Sequence, residues 1–141
     1  FWSSGAEPIQ MIADGEVSTA IAWNGRLQAM ANEGVDVRYT FQDGNLDTGI
    51  YSIPASCSKE SADSIALYLN AWTTPEWAVE WAKLMPYPPF TGGVAEQLDA
   101  DYAKLLPTTP ENVAIQHQTD WTFWHANYEA LNERWKEWTL E

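Results

Sequence analysis

Between Gly5 and Met30 the sequence writes a helix, a glycine stop, a short apolar run and the opening of a second helix, and this succession constrains everything downstream. Glu7-Pro8 predicts a helix start, because proline at the first helical position gives up an N–H that has no intrahelical partner anyway. Gly15 supplies the left-handed residue that ends such a helix. Val17 to Trp23, with Val17, Ala20, Ile21 and Ala22 apolar, is predicted as a short buried strand. Asn24 is predicted to cap a helix over Leu27, Met30 and Ala31 that stops at Gly34. A strand that hands over directly to a helix delivers one side chain, here Trp23, and free helix-opening N–H groups to one spot, which is where open α/β sheets bind ligands. The segment reads as a recognition site rather than a catalytic one.

The chain continues with predicted strands over Val37 to Gln42 and Thr48 to Ile53, the second ended by Pro54, with Asp43-Gly44-Asn45 as the turn between them. From Ser58 the pattern is helical. Ser58 caps a helix carrying Ala62, Ile65, Ala66 and Leu69, and Thr74-Pro75-Glu76 opens another through Trp77, Trp81 and Leu84. Pro86-Tyr87-Pro88-Pro89 and then Pro107 to Pro110 break the chain. A last helix, about Asp120 to Leu140, sets Trp121, Trp124, Tyr128, Leu131, Trp135 and Trp138 in one stripe at three- and four-residue spacings. Such a stripe is ordinarily core. Left exposed, it would drive self-association or stack on sugars in the manner of a carbohydrate-binding module. Three short strands with this much helix do not close a sheet alone and are expected to be one lobe and a crossover of a two-lobed α/β protein.

Composition excludes several classes of function. Lys+Arg 7 against Asp+Glu 20 gives a formal charge of -13, which repels phosphate backbones and anionic headgroups, so neither nucleic acid nor a membrane surface is the expected partner. At 141 residues with 45% hydrophobic residues the chain can bury the core of a single domain. No run approaches the ~18 apolar residues of a membrane span. Cys57 stands alone and forms no internal disulfide or CxxC motif, and His117 and His125 have no paired acidic motif that would make a metal site. GxSxG, P-loop and dinucleotide fingerprints are all missing. The expectation is a protein that performs no chemistry and holds no cofactor or metal.

Taken in order, Gly5-Ala6-Glu7-Pro8-Ile9-Gln10, Asp14-Gly15-Glu16-Val17 and Ala20-Ile21-Ala22-Trp23-Asn24-Gly25-Arg26 resemble the second-lobe segment of bacterial extracellular solute-binding proteins related to the spermidine/putrescine-binding group. Gly49-Ile50-Tyr51-Ser52-Ile53-Pro54 is similar to the strand that crosses between the lobes of that family. Ser61-Ala62 through Leu69 with Pro75-Glu76, then Tyr87-Pro88-Pro89, then Leu106-Pro107-Thr108 before Gln118-Thr119-Asp120-Trp121, follow in the family's order. The resemblance implies an α/β, type II periplasmic binding protein fold, of which this chain is a C-terminal fragment with a short mixed sheet and a long helical tail. Family members are longer and begin with a signal peptide and most of a first lobe. The expected division is residues 1–46 as second-lobe segment, 47–54 as interlobe crossing strand and 55–141 as helical C-terminal segment.

The function so implied is the substrate-binding component of an ABC importer, periplasmic or extracellular, closing on a small amine-bearing solute and handing it to a membrane permease. Trp23 matches a tryptophan that stacks on ligand in polyamine binders, and an indole suits an alkylammonium through cation–π attraction. Gln118 matches a ligand-contacting glutamine, with Trp121 beside it, and Asn24 and Tyr51 complete the expected ligand-binding set. The chain departs from the polyamine pattern on the crossing strand. Aligned on Ile53-Pro54, Gly49 stands where those members carry an aspartate and Asp47 where they carry a tryptophan, leaving Asp47 to reach an ammonium. Arg26, in the first turn of a helix, favours an anion and brings a carboxylate-bearing amine into view.

Overall fold

The computed structural model describes residues 2–88 and 90–140; Phe1, Glu141 and Pro89, the last residue of the expected Tyr87-Pro88-Pro89 loop, lie outside them. Helices α1 (Glu7–Ala13) and α2 (Asn24–Asn32) are followed by strand β1 (Asn45–Leu46). Then come α3 (Lys59–Trp72), α4 (Pro75–Leu84), a 3-10 turn (Ala95–Gln97), α5 (Ala100–Ala103), α6 (Pro110–Ala114), strand β2 (His117–Gln118) and α7 (Trp121–Thr139).

The helix punctuation read from the sequence is largely present. Pro8 lies in the first turn of α1, which runs out into Gly15 at φ 72°. Ser58 accepts from the Ser61 N–H at the start of α3, and Asp120 accepts from the Phe123 N–H at the start of α7, each occupying one of the donors a helix leaves unpaired at its first turn. Asn24 is a correction. Trp23 occupies the capping position of α2, and Asn24 is the first helical residue, its amide aimed elsewhere.

The expected strands over Val17–Trp23, Val37–Gln42 and Thr48–Ile53 are also corrected, since none of the three carries a ladder in the described residues. A strand is defined by its partner, and these segments have none among the described residues. Ile21 and Ile50, apolar residues of two of them, are 86% and 80% exposed. Among the described residues the sheet is two-stranded and parallel rather than mixed, pairing Asn45 with His117 and Leu46 with Gln118.

Burial concentrates around α4. Ala78, Val79 and Ala82 pack with Val94, and Leu98 closes over them. The rings of Trp72 and Trp81, 4.9 Å apart, join α3 to α4, and the Tyr102 hydroxyl donates to the Lys83 carbonyl at the end of α4. Leu27 and Met30 bury the inner face of α2, and Leu106 is 2% exposed. The aromatic stripe of α7 does not join this core, for Trp121, Trp124 and Tyr128 are 53%, 43% and 60% exposed.

Candidate functional site

The first turn of α2 ties four parts of the chain together. The Trp23 indole lies over Gly5, where an added Cβ would fall 2.1 Å from the ring, and the Trp2 ring meets it edge-on at 5.9 Å. Trp2 is itself held by donation from its Nε1 to the Ile21 carbonyl at 3.0 Å. The Arg26 guanidinium sits 5.6 Å from the centre of the Trp23 ring, so one cation is already drawn to that indole. The Asn24 amide donates to the Pro86 carbonyl at 2.7 Å and lies 3.5 Å from the Leu105 carbonyl, fastening two distant loops to the helix.

Gly25, buried in the same turn, receives the Tyr87 ring. A Cβ there would stand 2.5 Å from the Tyr87 Cζ. Glycine inside a helix costs about 1 kcal/mol relative to alanine. Close approach of an aromatic wall is the physical use of that cost here.

Tyr87 also lines a cleft of about 420 Å³, shared with Asp47, Gly49, Ile50, Tyr51, Trp72, Trp81, Pro88 and Phe90. Tyr51 and Phe90 meet edge-on at 5.5 Å. Asp47 is the one carboxylate among these lining residues; its Oδ1 accepts from the Thr48 N–H at 2.9 Å, and no cation of the described residues is ion-paired with it. Aromatic faces around a lone carboxylate form a site for a cationic group, because the ring quadrupoles and the formal charge act in the same sense.

The parallel ladder adds a further group to this neighbourhood. Leu46 pairs with Gln118, so Gln118 sits one residue from Asp47 across the strands, and the Thr119 N–H donates to the Leu46 carbonyl at 3.2 Å. Neither Gln118 nor Trp121 lines the cleft itself; Trp121 opens α7 beyond it. Of the residues expected from sequence, Asp47 and Tyr51 thus share one cleft, Gln118 stands beside it, and Trp23, Asn24 and Arg26, which do not line it, belong to the α2 turn that meets Tyr87. Sequence reasoning did not single out Trp72, Trp81, Tyr87 and Phe90 as lining residues. Trp81 reads only as a position of the helix that Pro75 opens, whereas Tyr87 carried a signal in its proline-rich break.

A second hollow of about 350 Å³ lies between α2 and the 37–41 segment, lined by Gln28, Tyr39 and Lys104 among others. Its cations are already partnered, Lys104 by Asp101 at 2.7 Å and Arg38 by Asp36 at 3.9 Å. It offers a ligand less than the Asp47 cleft does. Among the described residues, no three of His, Cys, Asp and Glu converge as metal ligands, and no helix is long and apolar enough to cross a membrane.

The family model described as bacterial extracellular solute-binding protein matches residues 1–111. The chain belongs to that family. Relatives include a gamma-aminobutyric acid-binding protein of Pseudomonas aeruginosa, 27% identical over 139 residues, which are 98% of this chain and 39% of that protein. Among solved structures, an ABC transporter substrate-binding protein from Bradyrhizobium japonicum aligns at a TM-score of 0.78 and 28% identity over 97% of this chain and 43% of its own. The Atu4243 GABA receptor aligns at 0.71 and 26% identity, over 97% of this chain and 42% of its own. The chain therefore has the fold of part of a periplasmic binding protein and spans about two fifths of the length of these relatives. They are solute-binding proteins rather than enzymes, and the family is extracellular, in agreement with the location expected from sequence.

Proposed function

We propose that this chain is the C-terminal part of the substrate-binding component of an ABC importer, and that its solute is a small amino acid with its amine and carboxylate well separated. The observation that carries the reading is Asp47, a carboxylate with no cationic partner among the described residues, facing a cleft walled by Tyr51, Trp72, Trp81, Tyr87 and Phe90. Asp47 and the rings take the ammonium end. Arg26, which is not among the cleft's lining residues but lies one residue past the Gly25 seat of Tyr87 and is held over the Trp23 ring, is assigned the carboxylate at the Tyr87 end. Gln118, adjacent through the β1–β2 ladder, and Trp121 after it complete the rim, and Asn24 holds the loops in place.

Two relatives bear names that refer to γ-aminobutyrate, a molecule of this kind. Polyamines are the narrower alternative carried by the family resemblance, and they need no Arg26. The division into residues 1–46 as second-lobe segment, 47–54 as crossing strand and 55–141 as helical segment fits the unpaired extended stretches, whose missing partners would come from the other lobe. The solute leaves chemically unchanged, delivered to a membrane permease.

Calorimetric titration of the intact protein with γ-aminobutyrate, putrescine and glucose tests the reading. Binding of γ-aminobutyrate, weakened by both Asp47→Asn and Arg26→Gln, is the expected result. Putrescine binding that is lost in Asp47→Asn but indifferent to Arg26→Gln would move the solute to the polyamines. No amine binding at all overturns the proposal. The exposed rings of α7 support a second reading, in which that face stacks on a polysaccharide, and retention on insoluble glucans tests it.

A further inference from the structure

We infer that Gly25, assisted by Asn24, is a positioning residue that sets the Tyr87 wall of the cleft and thereby the length of solute the site accepts. The inference rests on the Asp47 cleft being the solute site. Three observations carry it. The Tyr87 ring is pressed on Gly25 so closely that a Cβ would lie 2.5, 2.8 and 2.9 Å from three of its atoms. The same ring lines the cleft that contains Asp47. The backbone that carries Tyr87 is pinned to the same helical turn, since Asn24 donates to the carbonyl of Pro86, the residue before it.

A methyl group at position 25 cannot be accommodated with the ring in place. Gly25 has no left-handed φ and its backbone suits any residue, so the side chain that must yield is Tyr87. Because that ring is a wall of the cleft, the wall moves with it. Tyr87 and Asp47 line the same cleft, so a shift of the ring alters the length available to a solute anchored at Asp47. Pockets discriminate chain length through just such contacts, each methylene of misfit carrying roughly 10- to 200-fold.

The experiment is a titration of the intact protein and of its Gly25→Ala, Asn24→Ala and Tyr87→Ala variants with β-alanine, γ-aminobutyrate and δ-aminovalerate. The quantity read is the ratio of dissociation constants for the longest and shortest of the three. A variant that merely destabilises the fold weakens all three solutes together and leaves the ratio unmoved. Gly25→Ala is expected to change the ratio by at least about fivefold, below the single-methylene range because it only displaces the ring, and Tyr87→Ala, which removes that wall, by more. Asn24→Ala is expected to change it by less, as it frees the loop and leaves the seat intact. If Gly25→Ala does not fold, Tyr87→Ala carries the test alone. Unchanged ratios in folded variants overturn the inference while leaving the amino-acid reading in place. Failure of the unmodified protein to bind any of the three overturns both.

Discussion

Asn45 and Thr119, 74 residues apart in sequence, are joined side chain to side chain at 2.9 Å, next to the two-residue ladder that aligns Leu46 with Gln118. This bond and the ladder bring Gln118 to Asp47. Asn45→Ala is expected to lower stability by about 0.5–1.5 kcal/mol, the usual net worth of such a bond. Urea unfolding of the two proteins checks the figure, and a weaker affinity for γ-aminobutyrate in the folded variant is the expected companion effect.

Leu106 is among the largest side chains that are fully enclosed, at 2% exposure. Its carbonyl accepts from the Asn112 amide at 2.8 Å, which fixes the backbone and leaves little room for collapse onto a smaller residue. Leu106→Ala is therefore expected to cost about 2–5 kcal/mol, measured as a fall in the denaturation midpoint.

Tyr39 gives the chain a sensitivity to alkali. Burial, and after it the neighbouring Tyr102, push the Tyr39 hydroxyl up to about 12, and that hydroxyl donates to Gln28 Oε1 at 3.1 Å. An unfolded tyrosine titrates near ~10, so between roughly pH 10 and 12 the folded state holds more protons than the unfolded one. The contribution is fully present below that window, and stability falls as pH rises through it. Thermal midpoints recorded from about pH 8 upward are expected to decline less steeply in Tyr39→Phe than in the unmodified protein.

Asp120 stands between Gln118 and Trp121, where a capping carboxylate and a ligand carboxylate would look alike in sequence. Its Oδ1 accepts from the Phe123 N–H at 2.9 Å. Asp120→Ala is expected to cost about 1 kcal/mol and Asp120→Asn far less, because asparagine caps as well as aspartate. Affinity for an amine that falls in both variants alike would instead assign the charge a role in binding.

The legible parts of the fold were those fixed by local chemistry. Pro8, Gly15, Ser58, Pro75 and Asp120 each impose a backbone geometry or satisfy a helix donor within four residues, and each marks a helix boundary in the structure. The strands were not legible in the same way, since the apolar content of Val17–Trp23 signals a place in a sheet but not which chain segment supplies the neighbour. The stripe on α7 shows the same limit: periodicity identifies a face, while what covers it depends on atoms elsewhere. In the candidate cleft, Asp47 and Tyr51 were legible only through the resemblance of the segment ending in Ile53-Pro54 to a family strand. Tyr87 did not, because its place depends on Gly25 on a helix far away in sequence, and a lone glycine in a helix pattern carries no address.

The two-residue ladder also governs how the chain tolerates change in length. It closes a loop that contains α3 to α6, and the entropy of closing a loop grows only with the logarithm of its size, about 0.6 kcal/mol for each doubling. Residues added to or removed from the exposed connections of that excursion therefore weigh little against the ladder's registration. The helical excursion is free to diverge in length and sequence, while Asp47, just past the end of one strand, and Gln118, at the end of the other, remain side by side.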